Sequence, residues 1–281
     1  MSLERVLEST AVVTVADGFM FTEGPVWHPG DCCLLFSDIP ADTIYRHAAG
    51  AQATPYRKPS HNSNGLTFDR QGRLIACEHG ARRVSRGEAD GSVTALATHY
   101  QGKRLNSPND VVVRSDGVIF FTDPPYGIKP GDQEQPCNGV YRLAPDGELT
   151  LLVDDFDRPN GLAFSPDEKT LYIADTTRRQ VRAFNVAPDG ILTNGRLFAV
   201  MESDLPGGPD GMKVDVEGNL YSTGPGGVWI YRPDGELLGI AATPQLPANL
   251  AFGGTDWRTL FITARTTVYA LNTRIEGIPV L

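Results

Sequence analysis

The sequence predicts an all-β chain, a six-bladed β-propeller of four-stranded blades. Three observations carry this expectation: six segments share one pattern, they recur at blade-like intervals, and each is preceded by a residue with a side-chain oxygen. The segments begin at Gly24 (GPVWHPGDCCLLFSDI), Gly65 (GLTFDRQGRLIACEH), Asp110 (DVVVRSDGVIFFTDP), Gly161 (GLAFSPDEKTLYIADT), Gly211 (GMKVDVEGNLYSTGP) and Leu250 (LAFGGTDWRTLFITA). Successive starts lie 41, 45, 51, 50 and 39 residues apart, in the range of propeller blades and above that of ankyrin or leucine-rich repeats.

Each unit reads as strands. In GLAFSPDEKTLYIADT two short apolar runs, rich in aromatic and aliphatic residues, flank a polar turn, and Val181 to Val186 alternates as a third strand. Pro145-Asp146-Gly147, Pro188-Asp189-Gly190 and Pro233-Asp234-Gly235 follow the third strands of their units as turns whose Gly can take positive φ. No amphipathic helix of three turns is visible. The last unit runs out near Asn272 with three strands, while Thr10 to Ala16 supplies an unassigned strand before the first. That N-terminal strand is expected to complete the last blade and so remove the open edge of a linear array. One domain spanning 1–281 is expected.

The apolar content of 41% is enough for a sizeable core, and the 30 Gly and 21 Pro are scattered as punctuation between short strands. A net charge of -9 argues against a nucleic-acid partner, which needs a basic stripe to displace counterions. Ala11 to Phe21 is apolar but broken by Asp17 and Gly18, and lacks the basic start and cleavage site of a secretory signal. No stretch is long enough to span a bilayer, so no membrane association is expected. Cys32, Cys33, Cys77 and Cys137 form no CxxC and read as buried small hydrophobes in a reducing cytoplasm. A monomer or weak dimer is expected.

The residues preceding the six starts are Glu23, Asn64, Asn109, Asn160, Asp210 and Asn249. The first strand of each blade lines the propeller channel, so equivalent positions form one ring about the axis. Two carboxylates and four carboxamides are hard donors suited to Ca²⁺, Mg²⁺ or Mn²⁺, whereas zinc normally recruits His or Cys. The carboxylates Glu23 and Asp210 are the strongest ligand candidates, because buried together without a cation they would repel each other.

The motifs FTEGPVWHP (21–29), LNSPNDVVVRSDG (105–117), FTDPPYGI (121–128), RPNGLAFSPDEKTLYIADT (158–176) and GPDGMKVDVEGNLY (208–221) resemble the regucalcin/gluconolactonase family of six-bladed propellers, also called SMP-30/gluconolactonase/LRE-like. GKRLNSPND with DPPYGI looks most like its bacterial gluconolactonases. The resemblance implies one divalent metal on Glu23, Asn109, Asn160 and Asp210, with Ca²⁺ the first choice and Zn, Mn, Mg or Fe as alternatives. It also implies hydrolysis of a sugar lactone such as glucono-1,5-lactone to the aldonic acid. Asn64 and Asn249 are not usual ligands in the family and are expected to hold water or substrate hydroxyls.

On this reading the ion polarises the lactone carbonyl and lowers the pKa of a bound water, with Asp210 as catalytic general base and Glu23 as anchor of charge and geometry. Lys103 and Arg104 lie upstream of Asn109 and are expected to bind substrate hydroxyls or the developing carboxylate; a solvated basic pair is the alternative. The long segment from Pro124 to Asn138 is expected to form a lid, with Tyr126 stacking on a sugar ring or packing as an ordinary aromatic. His79 is expected to face the channel as an acid or base in contact with substrate, with a structural role as the alternative. No GxSxG, HExxH, Walker or dinucleotide motif is present. The alternatives are a non-catalytic metal or small-ligand propeller, and a promiscuous lactonase or organophosphate hydrolase.

Overall fold

The computed structural model describes residues 2–280, leaving the two end residues of the 1–281 span outside it. It contains six four-stranded antiparallel sheets. Blade 1 runs Thr22–His28, Cys33–Asp38, Thr43–Ala48 and Thr54–Arg57, and blade 2 runs Ser63–Phe68, Leu74–Glu78, Arg83–Gly87 and Val93–Ala97. Blade 3 is Val111–Val113, Ile119–Asp123, Asn138–Leu143 and Leu149–Phe156; blade 4 is Pro159–Phe164, Thr170–Asp175, Gln180–Val186 and Leu192–Val200. Met212–Val214, Leu220–Gly224, Gly227–Tyr231 and Leu237–Ala242 form blade 5. Blade 6 joins Asn249–Gly253, Thr259–Ala264 and Thr267–Asn272 to the N-terminal Val13–Asp17, which pairs antiparallel with the last of them, Val13 opposite Ala270. The closing strand therefore exists, starting three residues later and ending one later than Thr10 to Ala16.

Burial falls from the axis outward, which explains the sequence pattern of each unit. Ser63–Phe68 and Asn249–Gly253, innermost in their blades, are buried throughout, while Leu192–Val200, at an outer edge, is mostly exposed. The apolar residues pack between blades: Ile75, Cys77 and Val84 of blade 2 meet Val111, Phe121 and Tyr141 of blade 3. Trp27 stacks on Phe261 with centroids 5.5 Å apart, tying the first blade to the last. Each such side chain contributes about 1.5–3 kcal/mol of transfer free energy, so closure is driven chiefly by these inter-blade layers.

The Pro-Asp-Gly turns form as expected. Gly147 has φ +92, its N–H donates to the Ala144 carbonyl at 2.9 Å, and Asp146 accepts from the Glu148 N–H at 3.1 Å. The cysteines require a correction: Cys33 and Cys77 are buried, but Cys32 is exposed and Cys137 half-buried. Cys32 sits in the hairpin turn between the first two strands of blade 1 with φ 47, so its side chain cannot join the core. Among the described residues no helix is long and apolar enough to cross a membrane.

Two devices fix the inner strands. Asp38, Asp123 and Asp175, each ending the second strand of a blade, accept paired backbone N–H bonds from the segment entering that blade: Met20 and Phe21, Asn106 and Ser107, Asp157 and Arg158. Close backbone contact between neighbouring inner strands is the second. The Gly65 N–H donates to the Asn109 carbonyl at 2.8 Å and the Gly161 N–H to the Asp210 carbonyl at 3.1 Å. A Cβ on Gly161 would lie 2.2 Å from that carbonyl oxygen, so the glycine after the ring residue is required by the approach of the next blade.

Candidate active site

The two devices together deliver the six ring residues to the axis. Glu23, Asn64 and Asn160 are second in their inner strands, Asn249 is first, and Asn109 and Asp210 stand two residues before theirs. Five are at most 4% exposed; Asp210 is half-buried as a residue, but its carboxylate points inward with Oδ1 closed to solvent.

The electrostatics of the ring are those of crowded carboxylates. Burial pushes the Glu23 carboxyl up to about 7, opposed by the Gly24 N–H it accepts at 2.8 Å and reinforced by the charge of Asp110. Asp210 is pushed well up, first by burial and then by the charges of Glu23 and Asp110. Asp210 Oδ1 and Asn64 Oδ1 are buried without a hydrogen-bond partner. Such oxygens are costly unless something donates to or coordinates them.

Two residues on the axis were not anticipated. Asp110 occupies the position that is glycine in four of the six blades, and its carboxylate enters the channel, where the Asn249 amide reaches across from the opposite blade to donate at 3.4 Å. Lys213 lies further along, donates to the Met212 carbonyl at 3.0 Å, and has its ammonium pKa lowered by burial against the pull of Asp110 and Glu23. Asp110 was legible as the charged one of two departures from the glycine position, the other being Leu250, whereas Lys213, in the inner strand Met212–Val214, was not. Fully ionised, Glu23, Asp110 and Asp210 set against Lys213 leave two negative charges, the complement of a divalent cation. Among the described residues no group of three or more His, Cys, Asp or Glu could hold a metal. The pore supplies instead two carboxylates with carboxamides, and the orphaned oxygens make that set fit a hard cation. Asn249 stands apart, since its Oδ1 already accepts the Leu250 N–H at 2.8 Å.

Around the ring, Tyr126 is 38% exposed at the channel mouth, with the Arg158 guanidinium 5.3 Å from its ring centroid. Burial and then the charge of Asp210 push its phenol pKa up, while hydrogen bonds to Thr176 and Asn160 oppose this. Thr176, also unanticipated, accepts from the Asn160 amide at 3.0 Å and donates to the Pro209 carbonyl at 2.8 Å, coupling two ring segments. The segment from Pro124 to Asn138 covers His79: the Gly127 N–H donates to Ser107 Oγ at 3.0 Å, and a Cβ on Gly127 would strike the His79 side chain.

His79 is brought to the ring but in a different state from an acid. Burial lowers its pKa to about 4, so it is neutral near pH 7, with Nε2 3.4 Å from Asn64 Nδ2. Arg104 lines a recess beside His79, whereas Lys103 is exposed in a separate recess with Tyr100 and Gln135.

The raised Glu23 pKa fixes a pH dependence. Without cation the folded protein holds this proton to about pH 7, while the unfolded chain releases it near 4.5. Between those values the folded state binds more protons, so this contribution to stability is present below the lower value and is lost as pH rises through the higher one. His79 acts in the opposite sense but is common to wild type and Glu23→Gln. Calorimetric melting of chelator-treated protein between about pH 5 and 8 is expected to show Tm of the wild type falling relative to Glu23→Gln, and added divalent cation restoring it. Parallel profiles would refute the crowded-carboxylate description.

The fold and pore define a class: a six-bladed β-propeller with an axial cluster of carboxylates and carboxamides. Residues 21–266 match the model of the SMP-30/gluconolactonase/LRE-like region, and the chain belongs to this family. It is 34% identical to a gluconolactonase of Zymomonas mobilis, with 98% of this chain and 85% of that protein aligned. It is 30% identical to a pentonolactonase of Haloferax volcanii over 86% of this chain and 80% of the relative. The solved gluconolactonase of Xanthomonas campestris superposes with a TM-score of 0.88 at 38% identity, covering 96% and 92% of the two chains.

Proposed function

We propose that this protein is a metal-dependent lactone hydrolase that opens a sugar lactone, glucono-1,5-lactone or a related aldonolactone, to the aldonic acid. The observation that carries the reading is the buried Asp210 carboxylate, one oxygen of which lacks a partner beside the charge of Glu23. The relatives named as gluconolactonase and pentonolactonase support the substrate class.

Glu23, Asn109, Asn160 and Asp210 are the residues proposed to hold the ion, for which Ca²⁺ is the first choice by donor hardness. When bound, a divalent cation supplies Lewis-acid polarisation of the lactone carbonyl. Asp210 accepts a proton from the water that attacks the carbonyl carbon, the ring C–O bond breaks, and Asp210 returns that proton to the departing ring oxygen, which becomes a hydroxyl. Glu23 holds charge and geometry. Asn64 offers its unpartnered Oδ1 to a substrate hydroxyl while neutral His79 braces its amide, and Tyr126 walls the mouth. Asp110 and Lys213 offset each other beneath the ring and keep the cluster two charges short of neutrality.

Four free thiols support a reducing compartment, the cytoplasm, and a monomer or weak dimer remains our reading of the assembly. Proton release from glucono-1,5-lactone, measured above spontaneous hydrolysis with and without chelator, tests the function. A chelator-sensitive excess, restored by Ca²⁺ or another divalent ion, is expected. No metal-dependent excess on any of a panel of lactones would leave a ligand-binding propeller.

A further inference from the structure

Beside the pore mouth lies a recess of about 510 Å³ lined by Arg82, Arg104, Lys129, Asp132, Glu134 and His79. Its wall is continuous with the ring, because His79 lies against Asn64. Three cations face two carboxylates there, in a chain whose overall charge is -9, so the recess is locally positive where most of the surface is not.

The arginines are only partly satisfied. Arg82 is 8% exposed, donates through Nε to the Leu105 and Asn106 carbonyls at 2.7 and 2.9 Å, and leaves Nη2 buried without a partner. Its Nη1 lies 3.7 Å from Glu134 Oε1, beyond hydrogen-bonding distance, and the Glu134 side chain is 48% exposed. Arg104 donates through Nη2 to the Ala81 carbonyl at 3.0 Å, and its backbone N–H donates to Glu134 Oε2 at 2.9 Å. Two guanidinium groups held by backbone carbonyls, with N–H donors to spare, suit the planar bidentate recognition of carboxylate or phosphate.

We infer that the recess binds an anionic substituent, phosphate or carboxylate, carried by the substrate at the end remote from its ester, so that the site favours anionic aldonolactones over neutral ones. The inference rests on the lactonase reading for its substrate but not for the anion site itself. On this inference the reacting carbonyl sits at the ring and the far end of the carbon chain lies on the Asn64 and His79 side, toward Arg82 and Arg104. Asp132 and Glu134 limit the net attraction and make the sign of one substitution diagnostic.

The test has two arms. In the first, kcat/KM is compared for 6-phosphoglucono-1,5-lactone and glucono-1,5-lactone; a preference of about 10-fold for the phosphorylated lactone, carried by KM, is expected from one charge-assisted contact. Arg104→Gln should reduce that ratio several-fold, and Glu134→Gln, which keeps the acceptor for the Arg104 N–H but removes a negative charge, should raise it. In the second arm, calorimetry with 6-phosphogluconate, glucarate and gluconate reads anion binding without turnover and separates phosphate from carboxylate. Gluconate binding as tightly as the other two, with neither variant shifting the order, overturns the subsite even if lactones are hydrolysed. Arg104-dependent binding of 6-phosphogluconate or glucarate without hydrolysis of any lactone keeps the subsite and removes the lactonase reading.

Discussion

Asp210→Asn is expected to lower lactone turnover by about 10³-fold, the scale of a lost general base, while raising the melting temperature of the metal-free protein. The opposite signs follow from one cause. In the folded chain Asp210 is buried beside the charges of Glu23 and Asp110, so its ionisation costs stability when no cation is present. The isosteric amide removes that repulsion, and with it the proton acceptor and half of the charge proposed to hold the ion. The increase in Tm on adding divalent cation should therefore shrink in the variant, since ligand stabilisation scales with the logarithm of affinity. Turnover from initial rates and melting with and without chelator read both effects. A variant that keeps wild-type turnover and the full cation-induced shift in Tm would remove Asp210 from the centre, and a variant that merely misfolds would lose Tm, not gain it.

The architecture was legible because a propeller repeats its physics. Each blade needs a buried inner strand, a turn, a second strand, which in three blades ends in an Asp that anchors the incoming segment, and an outer strand facing water. The Asp at the end of FSD, FTD and IAD was visible as part of the repeat, but its task of capping backbone N–H groups was not, because the donors come from segments 16 to 18 residues earlier. The ring was legible for a similar reason: one position per blade, always an oxygen donor, next to a position that is glycine in four blades.

What stayed hidden were interactions between blades. Asp110 meets Asn249 across the axis at a separation of 139 residues, and no local pattern marks that encounter. Lys213 reads as an ordinary charged residue in a short strand until closure turns it inward. His79 lies against the ring residue Asn64, but its protonation state is set by the burial that the overlying segment around Gly127 helps to impose. Lys103 and Arg104 look equivalent in sequence; the hairpin that pairs Lys103–Arg104 with His99–Tyr100 turns Arg104 to the His79 recess and Lys103 away.

Gly161→Ala is expected to be strongly damaging for so small a substitution, because the ring closes by backbone contact and has no slack at this point. The added Cβ would lie 2.2 Å from the Asp210 carbonyl oxygen and 2.7 Å from the Gly211 Cα, neither of which can rotate away. Relief requires the inner strands of blades 4 and 5 to separate, breaking the 3.1 Å bond from the Gly161 N–H and shifting the backbone that carries Asp210. Overpacking of this kind costs roughly 1–3 kcal/mol or more, against a total stability of about 5–15 kcal/mol. Gly147→Ala is the matched comparison: Gly147 has φ +92 in a surface turn and nothing within 4 Å of its Cβ position, so only the strain of left-handed backbone is added, about 1 kcal/mol. Calorimetry should find a fall in Tm several times larger for Gly161→Ala than for Gly147→Ala. Cation binding and turnover should be lost in the first variant and kept in the second. Equal falls in Tm with activity retained in both would mean that the blades can part at the axis without disturbing the site, and the account of how the ring residues are held in place would have to be abandoned.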